Sequence, residues 1–494
     1  MQYSERQLRE ILQPGGVLSK VLEPYEPRPQ QYDLGRAVGE ALAYGRILIA
    51  EAPTGVGKTL AYLIPAAIHA RATHEPVVIS SYSRTLQDQV LEQEVPRLRR
   101  IVHPDLAVAV LKGRGNYLCR RRWDLFVAED GSGAQGRQVV ERLAPWVAST
   151  QTGDLSEAPD VGRREAWALA RIAGDARFCR SRECRPETGC FHKLARRNAR
   201  QADLVIVNHS LLLAHALTGG VLPDFRALIV DEAHALPDAA LEPLTWRIRE
   251  RGFEDRVRLM GGSGEPGYSD RLRAAVRLLP SKVTQQNMQK RLQALEEQSR
   301  RALEDTRTFF AALAAGPHFP RAGERRRYRQ ADCDQGLVPN ELDPLLGALE
   351  TLLRDARDLA RRLEAEWPGE GPSREARDLL DAAESARADL AEATEVLKAL
   401  LAPNDETRVY MAEGTGRGGV GLAAVPLDTG PALREHIVLP QEGVVFTSAT
   451  LGAADEFGYF CRQVGVEAPE VVALELTSPF DLKRQLRVVV PTYA

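Results

Sequence analysis

Three groups of residues have the types and spacing to do chemistry. The first is Glu51-Ala52-Pro53-Thr54-Gly55-Val56-Gly57-Lys58-Thr59. It follows the apolar run Ile47-Leu48-Ile49-Ala50 and precedes an apolar-periodic segment, Leu60 to Ile68, that reads as a helix. A strand, a tight glycine turn and a helix, in that order, make a cradle for phosphate oxygens. Gly55 and Gly57 let the backbone approach an anion, and successive N–H groups at the helix start then face it. Lys58 supplies positive charge for β- and γ-phosphates, and Thr59 offers a hydroxyl to Mg²⁺. Ala52 stands where the usual pattern has its first glycine.

The second group is Asp231-Glu232-Ala233-His234, directly after the apolar run Ala227-Leu228-Ile229-Val230. A carboxylate at the end of a buried strand beside a phosphate loop can hold Mg²⁺. Its neighbour Glu232 can then orient or deprotonate an attacking water. The third group is Cys119, Cys179, Cys184 and Cys190, the last three separated by four and then five residues. Thiols grouped in this way suggest a metal site. Zinc knuckles favour C-x-x-C pairs, so the wide gaps suit a [4Fe–4S] cluster better; zinc and free buried thiols are the alternatives. Cys333 and Cys461 have no close cysteine neighbours in sequence and are expected to be unligated.

The elements that must position these groups are also legible. Val77-Val78-Ile79-Ser80 and Val444 to Leu451 read as further buried strands. With the two already named they fit one parallel sheet whose ligand sits at the carboxyl edge. Thr447 and Ser448 could relay the state of the γ-phosphate. Thr85 to Gln89 begins a helix after the second strand, and its hydroxyl and amide groups suit a sugar-phosphate backbone. Gln30, Gln31 and the segment Tyr32 to Ala43 form a helix leading into the phosphate loop; Gln31 can present its amide to an adenine edge. Between the Asp231 strand and the Val444 strand lies a long helical insertion. Leu345, Leu349, Leu352, Ala356, Leu359 and Leu363 form one heptad seam. Ala376, Leu379, Ala383, Ala386, Leu390, Ala393, Leu397 and Leu400 form another, with a break at 366–372. Arg325-Arg326-Arg327-Tyr328-Arg329 is expected to be a solvated charge run.

A chain of 494 residues, 44% apolar and 27% charged, with net charge −3, is an ordinary globular composition too long for one core. The weak net charge makes any polyanion surface a local matter. From Val161 to Ala202 there are eleven arginines and lysines against four acids, and Lys112, Arg114, Arg120, Arg121 and Arg122 flank the first cysteine. Such clustering is the footprint of a nucleic-acid partner. Residues 1–30 carry no apolar run, and no apolar stretch is long enough to span a bilayer. A cytoplasmic protein with reduced thiols and no membrane partner is expected.

The stretches Arg28-Pro29-Gln30-Gln31, Glu51 to Thr59, Leu111 to Cys119 with the three later cysteines, and Val205 to Leu212 together resemble a known family. Val230 to His234, Val425-Pro426-Leu427-Asp428, Thr447 to Leu451 and Ser478-Pro479-Phe480 extend the likeness over nearly the whole chain. The sequence is similar to the XPD-like iron–sulfur helicases of superfamily 2, of the DinG and YoaA type. The resemblance implies an α/β fold: a RecA-like P-loop NTPase domain with a parallel sheet, an iron–sulfur insertion and an α-helical arch insertion. Its implied boundaries are motor domain 1 over 1–108, 204–240 and 426–455, the cluster domain over 109–203, the arch over 241–425 and the start of a second motor domain over 456–494. It implies ATP-driven 5′→3′ unwinding, with single-stranded or forked DNA as partner, in DNA repair or replication.

By the same resemblance, Gln31 would read adenine, and Ala52, Pro53, Thr54, Gly55, Val56, Gly57, Lys58 and Thr59 would hold the nucleotide. Lys58, Asp231 and Glu232 would be catalytic, and Thr59 and Asp231 would hold Mg²⁺. Cys119, Cys179, Cys184 and Cys190 would ligate a [4Fe–4S] cluster. Family members also have a second RecA-like domain that completes the ATP site with arginines, whereas this sequence stops at Ala494. The expectation is therefore that this polypeptide binds ATP and DNA but hydrolyses and unwinds poorly by itself, unless a separate chain supplies that half. On the alternative reading it is an iron–sulfur DNA-binding module with nucleotide binding but little hydrolysis.

Overall fold

The structure is a computed structural model that describes residues 5–22, 25–82, 90–129, 133–162, 166–175, 179, 189–262, 267–316, 319–367, 371–414, 419–452 and 457–485. The expected helix over Thr85 to Gln89, and Cys184, lie outside the described residues. The strands in chain order are β1 (Ile47–Glu51), β2 (Val77–Ser81), β3 (Val108–Val110), β4 (Leu204–Asn208), β5 (Ala227–Asp231), β6 (Trp246–Arg249), β7 (Arg325–Tyr328), β8 (Arg408–Gly414), β9 (Val420–Pro426), β10 (Gly443–Ser448) and β11 (Val471–Glu475). The chain folds as two compact units. One contains Met1–Cys179, Cys184–Pro243 and Asp428–Ala494; the other contains Leu244–Leu427.

In the first unit, seven strands form one sheet in the order β11-β1-β10-β5-β2-β4-β3. Every pairing is parallel. A parallel sheet is covered by helices on both faces, so its strands read as unbroken apolar runs rather than alternations. β2 and β5 are buried along their full length. The register brings the polar residues at the strand ends level: Glu51 lies opposite Ser448, Thr447 opposite Asp231, and Ser81 opposite Asn208.

Helix α1 (Pro29–Tyr44) starts with a proline at its first position, where the missing N–H costs nothing. It ends on the left-handed Gly45, whose N–H caps the Ala41 carbonyl. Helix α2 (Lys58–Thr73) leaves the phosphate loop and packs against α1. The connection between β3 and β4 holds α3 (Arg120–Glu129), α4 (Ala134–Ser149), α5 (Ala166–Ile172) and α6 (Phe191–Arg200). Tyr117, Leu118, Trp123, Phe126, Leu143 and Phe191 belong to a small core of their own there. After β4 comes α7 (His209–Thr218), capped by the Asn208 side chain, which accepts from the Leu211 N–H at 2.9 Å.

The second unit is built on α8 (Glu250–Gly261), α9 (Tyr268–Arg277), α10 (Lys282–Ala315), α11 (Leu342–Ala365) and α12 (Arg374–Leu401). All six residues of the expected α11 seam are buried. The α12 seam extends further than expected: Leu379 and Ala386 pack half-buried against the core, and Leu380 and Arg387 beside them are buried. The physical reason is that α12 packs against α9 more extensively than against α11, so its inward face is wider than a two-helix seam. Arg387 tolerates burial because Glu384 takes its guanidinium at 2.8 and 2.5 Å. This unit also contains an antiparallel sheet, in the order β6-β9-β8-β7, that the helical periodicity gave no sign of. The arginine run is its edge strand β7, with Arg325, Arg326 and Arg327 exposed and Tyr328 buried. Charges on an exposed edge discourage pairing with another chain.

Candidate nucleotide site and cysteine group

The sheet register gathers the expected site residues at one edge. Gly55 and Gly57 both have positive φ, 93° and 82°. A Cβ on Gly57 would lie 2.4 Å from Gln31 Nε2, and one on Gly55 would lie 2.3 Å from Phe480 Cε2. Both glycines are therefore needed for backbone conformation and for close approach. Gln31 is buried in the first turn of α1, and its amide donates to the Gly57 carbonyl at 3.1 Å. Lys58 is the first residue of α2, and its Nζ lies 3.4 Å from Glu232 Oε1. Ala52 is buried and its N–H donates to the Ser448 carbonyl at 2.9 Å.

Asp231 ends β5 and is 5% exposed. Its Oδ1 accepts the Glu232 N–H at 2.9 Å, and its Oδ2 accepts the Tyr62 hydroxyl at 2.8 Å. Burial pushes the Asp231 carboxyl up, and the bond from Tyr62 works against that. Burial, with the Asp231 charge adding to it, holds the Tyr62 hydroxyl well above its ordinary range, so this phenol stays a donor. Glu232 adopts φ 51°, a left-handed backbone that a residue with a Cβ takes only when its surroundings impose it. Ser448 donates to Glu232 Oε2 at 3.3 Å and lies 2.6 Å from His234 Nδ1. Behind them His209, 2% exposed, places Nδ1 2.7 Å from Ser80 Oγ; burial holds its imidazole down to about 4.

The arrangement sets one ammonium and two carboxylates beside the glycine cradle, so a polyphosphate entering it would need a divalent cation as well as Lys58 to offset its charge. Motif reading found Gln31, Lys58, Thr59, Asp231 and Glu232. It missed Tyr62, His209, Ser80 and the capping role of Glu51, whose Oε2 accepts the Leu451 N–H at 2.6 Å. Tyr62 had one available signal, its position three residues after Thr59 on the same helix face.

Three of the four expected cysteines are described. Cys119 precedes α3 and its N–H donates to the Ile172 carbonyl at 2.9 Å; Cys190 is the N-cap of α6. Burial pushes the Cys179 thiol up, with Arg114 working against it and Cys190 and Cys119 adding to the rise. Gly189, at φ 85°, lets the Arg120 side chain pass where a Cβ would lie 2.7 Å from it, and the Arg120 guanidinium stacks over Phe191 at 5.1 Å. Half-buried soft thiols are the donor type of an iron–sulfur cluster. No group of three or more His, Cys, Asp or Glu with metal-site geometry is present among the described residues, which do not include Cys184. The basic patch needs correction at Lys112. Its Nζ lies 2.6 Å from Asp154 Oδ2 and 3.2 Å from Ser156 Oγ, with the side chains only 5% and 13% exposed in the pair, so it is an internal anchor rather than a surface charge. Arg121 is exposed, and Arg122 lies 3.5 Å from Asp175.

A parallel sheet, a glycine cradle after β1 ending in Lys58-Thr59 and a paired carboxylate at the end of β5, two strands away, define a P-loop nucleotide site. Residues 35–119 match the model of the DEAD/DEAH box helicase family. The chain is 32% identical to the ATP-dependent DNA helicase YoaA of Escherichia coli strain K12, over 96% of this chain and 67% of that one. It is 27% identical to the ATP-dependent DNA helicase YoaA of Haemophilus influenzae, over 99% of this chain and 69% of that one. Among solved structures, an XPD helicase aligns with a TM-score of 0.44 and 14% identity, covering 91% of this chain and 62% of that one. The chain belongs to the family of ATP-dependent DNA helicases that includes YoaA, and it spans about two thirds of the length of these two relatives. Among the described residues no helix is long and apolar enough to cross a membrane.

Proposed function

We infer that this chain carries the motor portion of an ATP-dependent DNA helicase, driving 5′→3′ movement on single-stranded or forked DNA in repair or replication. The observation that carries the reading is the meeting of Lys58, Asp231 and Glu232, from two distant parts of the sequence, at the carboxyl edge of one sheet. In this reading the backbone of Ala52 to Gly57 wraps the phosphates and Lys58 neutralises them. Gln31 holds the Gly57 carbonyl through its amide nitrogen and turns its amide oxygen to adenine. Thr59 and Asp231 would hold Mg²⁺, which when bound offsets phosphate charge. Glu232, its Oε2 fixed by Ser448, orients the attacking water and takes its proton. The link from Glu232 through Ser448 to His234 connects β5 with β10 and carries the occupancy of the site to residues beyond it.

Cys119, Cys179, Cys184 and Cys190 would hold a [4Fe–4S] cluster, whose role in this reading is to cross-link the loops of the β3–β4 connection. The exposed arginines around it contact the DNA backbone. The test is ATP hydrolysis with and without single-stranded DNA, beside the iron content of anaerobically purified protein. DNA-stimulated hydrolysis that Lys58→Ala and Glu232→Gln abolish, and iron that Cys119→Ser removes, are the results expected. Protein whose grip on oligonucleotides is indifferent to ATP, with no hydrolysis to lose, would overturn the reading.

A further inference from the structure

We propose that Tyr62 is a positioning residue for the metal-binding carboxylate Asp231, through the buried hydrogen bond that its hydroxyl donates to Asp231 Oδ2. This rests on the nucleotide-site reading above and adds a residue to it. The Tyr62 ring is 2% exposed, and its hydroxyl donates to Asp231 Oδ2 at 2.8 Å. A phenol beside a carboxylate keeps its proton at neutral pH, so the bond runs from Tyr62 to Asp231.

The consequence lies in where the protons point. Asp231 has one oxygen fixed by Tyr62 and the other by the Glu232 N–H, and each retains an unused lone pair. The Asp231 carboxylate is thereby fixed in orientation as an acceptor at the end of β5. That is the requirement of a hard cation that takes oxygen ligands in fixed geometry. Ile79 and Ile206 line the same small cavity as Thr59, Tyr62 and Asp231, which keeps the bond in low-dielectric surroundings.

The experiment measures the affinity of the full chain for a fluorescent ADP analogue with excess Mg²⁺ and with EDTA, and takes the ratio. Tyr62→Phe is expected to lower that ratio about tenfold, the scale of one hydrogen bond to a charged group, while the EDTA affinity stays within about twofold. Asp231→Asn serves as the reference and is expected to remove the metal-dependent gain. If Asp231→Asn removes the gain and folded Tyr62→Phe does not, the Tyr62 assignment is overturned while the nucleotide site stands. If Asp231→Asn leaves the gain intact, the site reading fails and the assignment falls with it. A drop in the EDTA affinity as large as that in Mg²⁺ would show a packing role and overturn the assignment. Tyr62→His, which keeps an N–H donor on a smaller ring, guards against misfolding of the phenylalanine variant: retention of the ratio within about threefold supports the assignment, and loss as complete as that of Asp231→Asn overturns it.

Discussion

Lys112→Met separates an internal anchor from a DNA contact. Lys112 follows β3 in a basic stretch, and by sequence it belongs with the arginines that would meet phosphates. The structure buries it on Asp154 at 2.6 Å, with Ser156 Oγ at 3.2 Å. Removing one member of a buried ion pair costs about 3–5 kcal/mol, because the other charge is left without its partner. Asp154 keeps the Ser156 N–H at 3.0 Å and the Ser156 hydroxyl at 2.8 Å, so the low end, ~3 kcal/mol, is expected. The loss falls where Leu118 N–H meets the Gly153 carbonyl, the contact that places the loop carrying Cys119. Hydrogen exchange should accelerate over residues 117–119 and 153–157, and urea unfolding should begin earlier. Oligonucleotide affinity measured against salt should keep its wild-type slope, whereas Arg121→Ala should make the slope shallower by about 0.7, one phosphate contact on a single strand. A Lys112→Met protein with wild-type protection and a shallower salt slope would refute the assignment.

Three further outcomes follow from the same geometry. Gly55→Ala must place a Cβ at φ 93° and 2.3 Å from Phe480, so nucleotide affinity should fall; Phe480→Ala in that background should recover the steric part only, leaving about 1–2 kcal/mol of backbone strain in a binding titration. His209, facing Glu232 and His234, is neutral in the fold down to about pH 4 although an unfolded histidine takes a proton near 6.5. Its stability contribution is therefore complete above about pH 6.5 and lost progressively towards pH 4, and His209→Gln should reduce the loss of unfolding free energy between pH 7.5 and 5 by roughly 2 kcal/mol. Glu232→Gln should keep nucleotide affinity within a few fold while hydrolysis falls at least about a hundredfold, as for loss of a general base, seen by parallel binding and phosphate-release assays.

The sequence alone determined the chemistry of the nucleotide site, because that chemistry is local. A glycine turn between an apolar run and a helix, and a carboxylate pair at the end of an apolar run, are each specified within about ten residues. It also determined the buried face of α11, where a heptad repeat and a helix face are the same thing. What only tertiary structure decided is what depends on register between distant strands. Thr447 lies opposite Asp231 and Ser448 opposite Glu51 because β10 pairs with β5 on one side and β1 on the other. No spacing along the chain encodes that order. Tyr62 reads as one more apolar residue of α2 until β5 brings Asp231 to its hydroxyl. Lys112 reads as surface charge until the loop at Asp154 folds over it. β6 and β7 are short strands set apart from β8 and β9 by helices of the second unit, so their pairing leaves no periodic trace. Local pattern fixes which groups can react; the fold fixes which of them meet, because burial and pairing are settled by residues far apart in sequence.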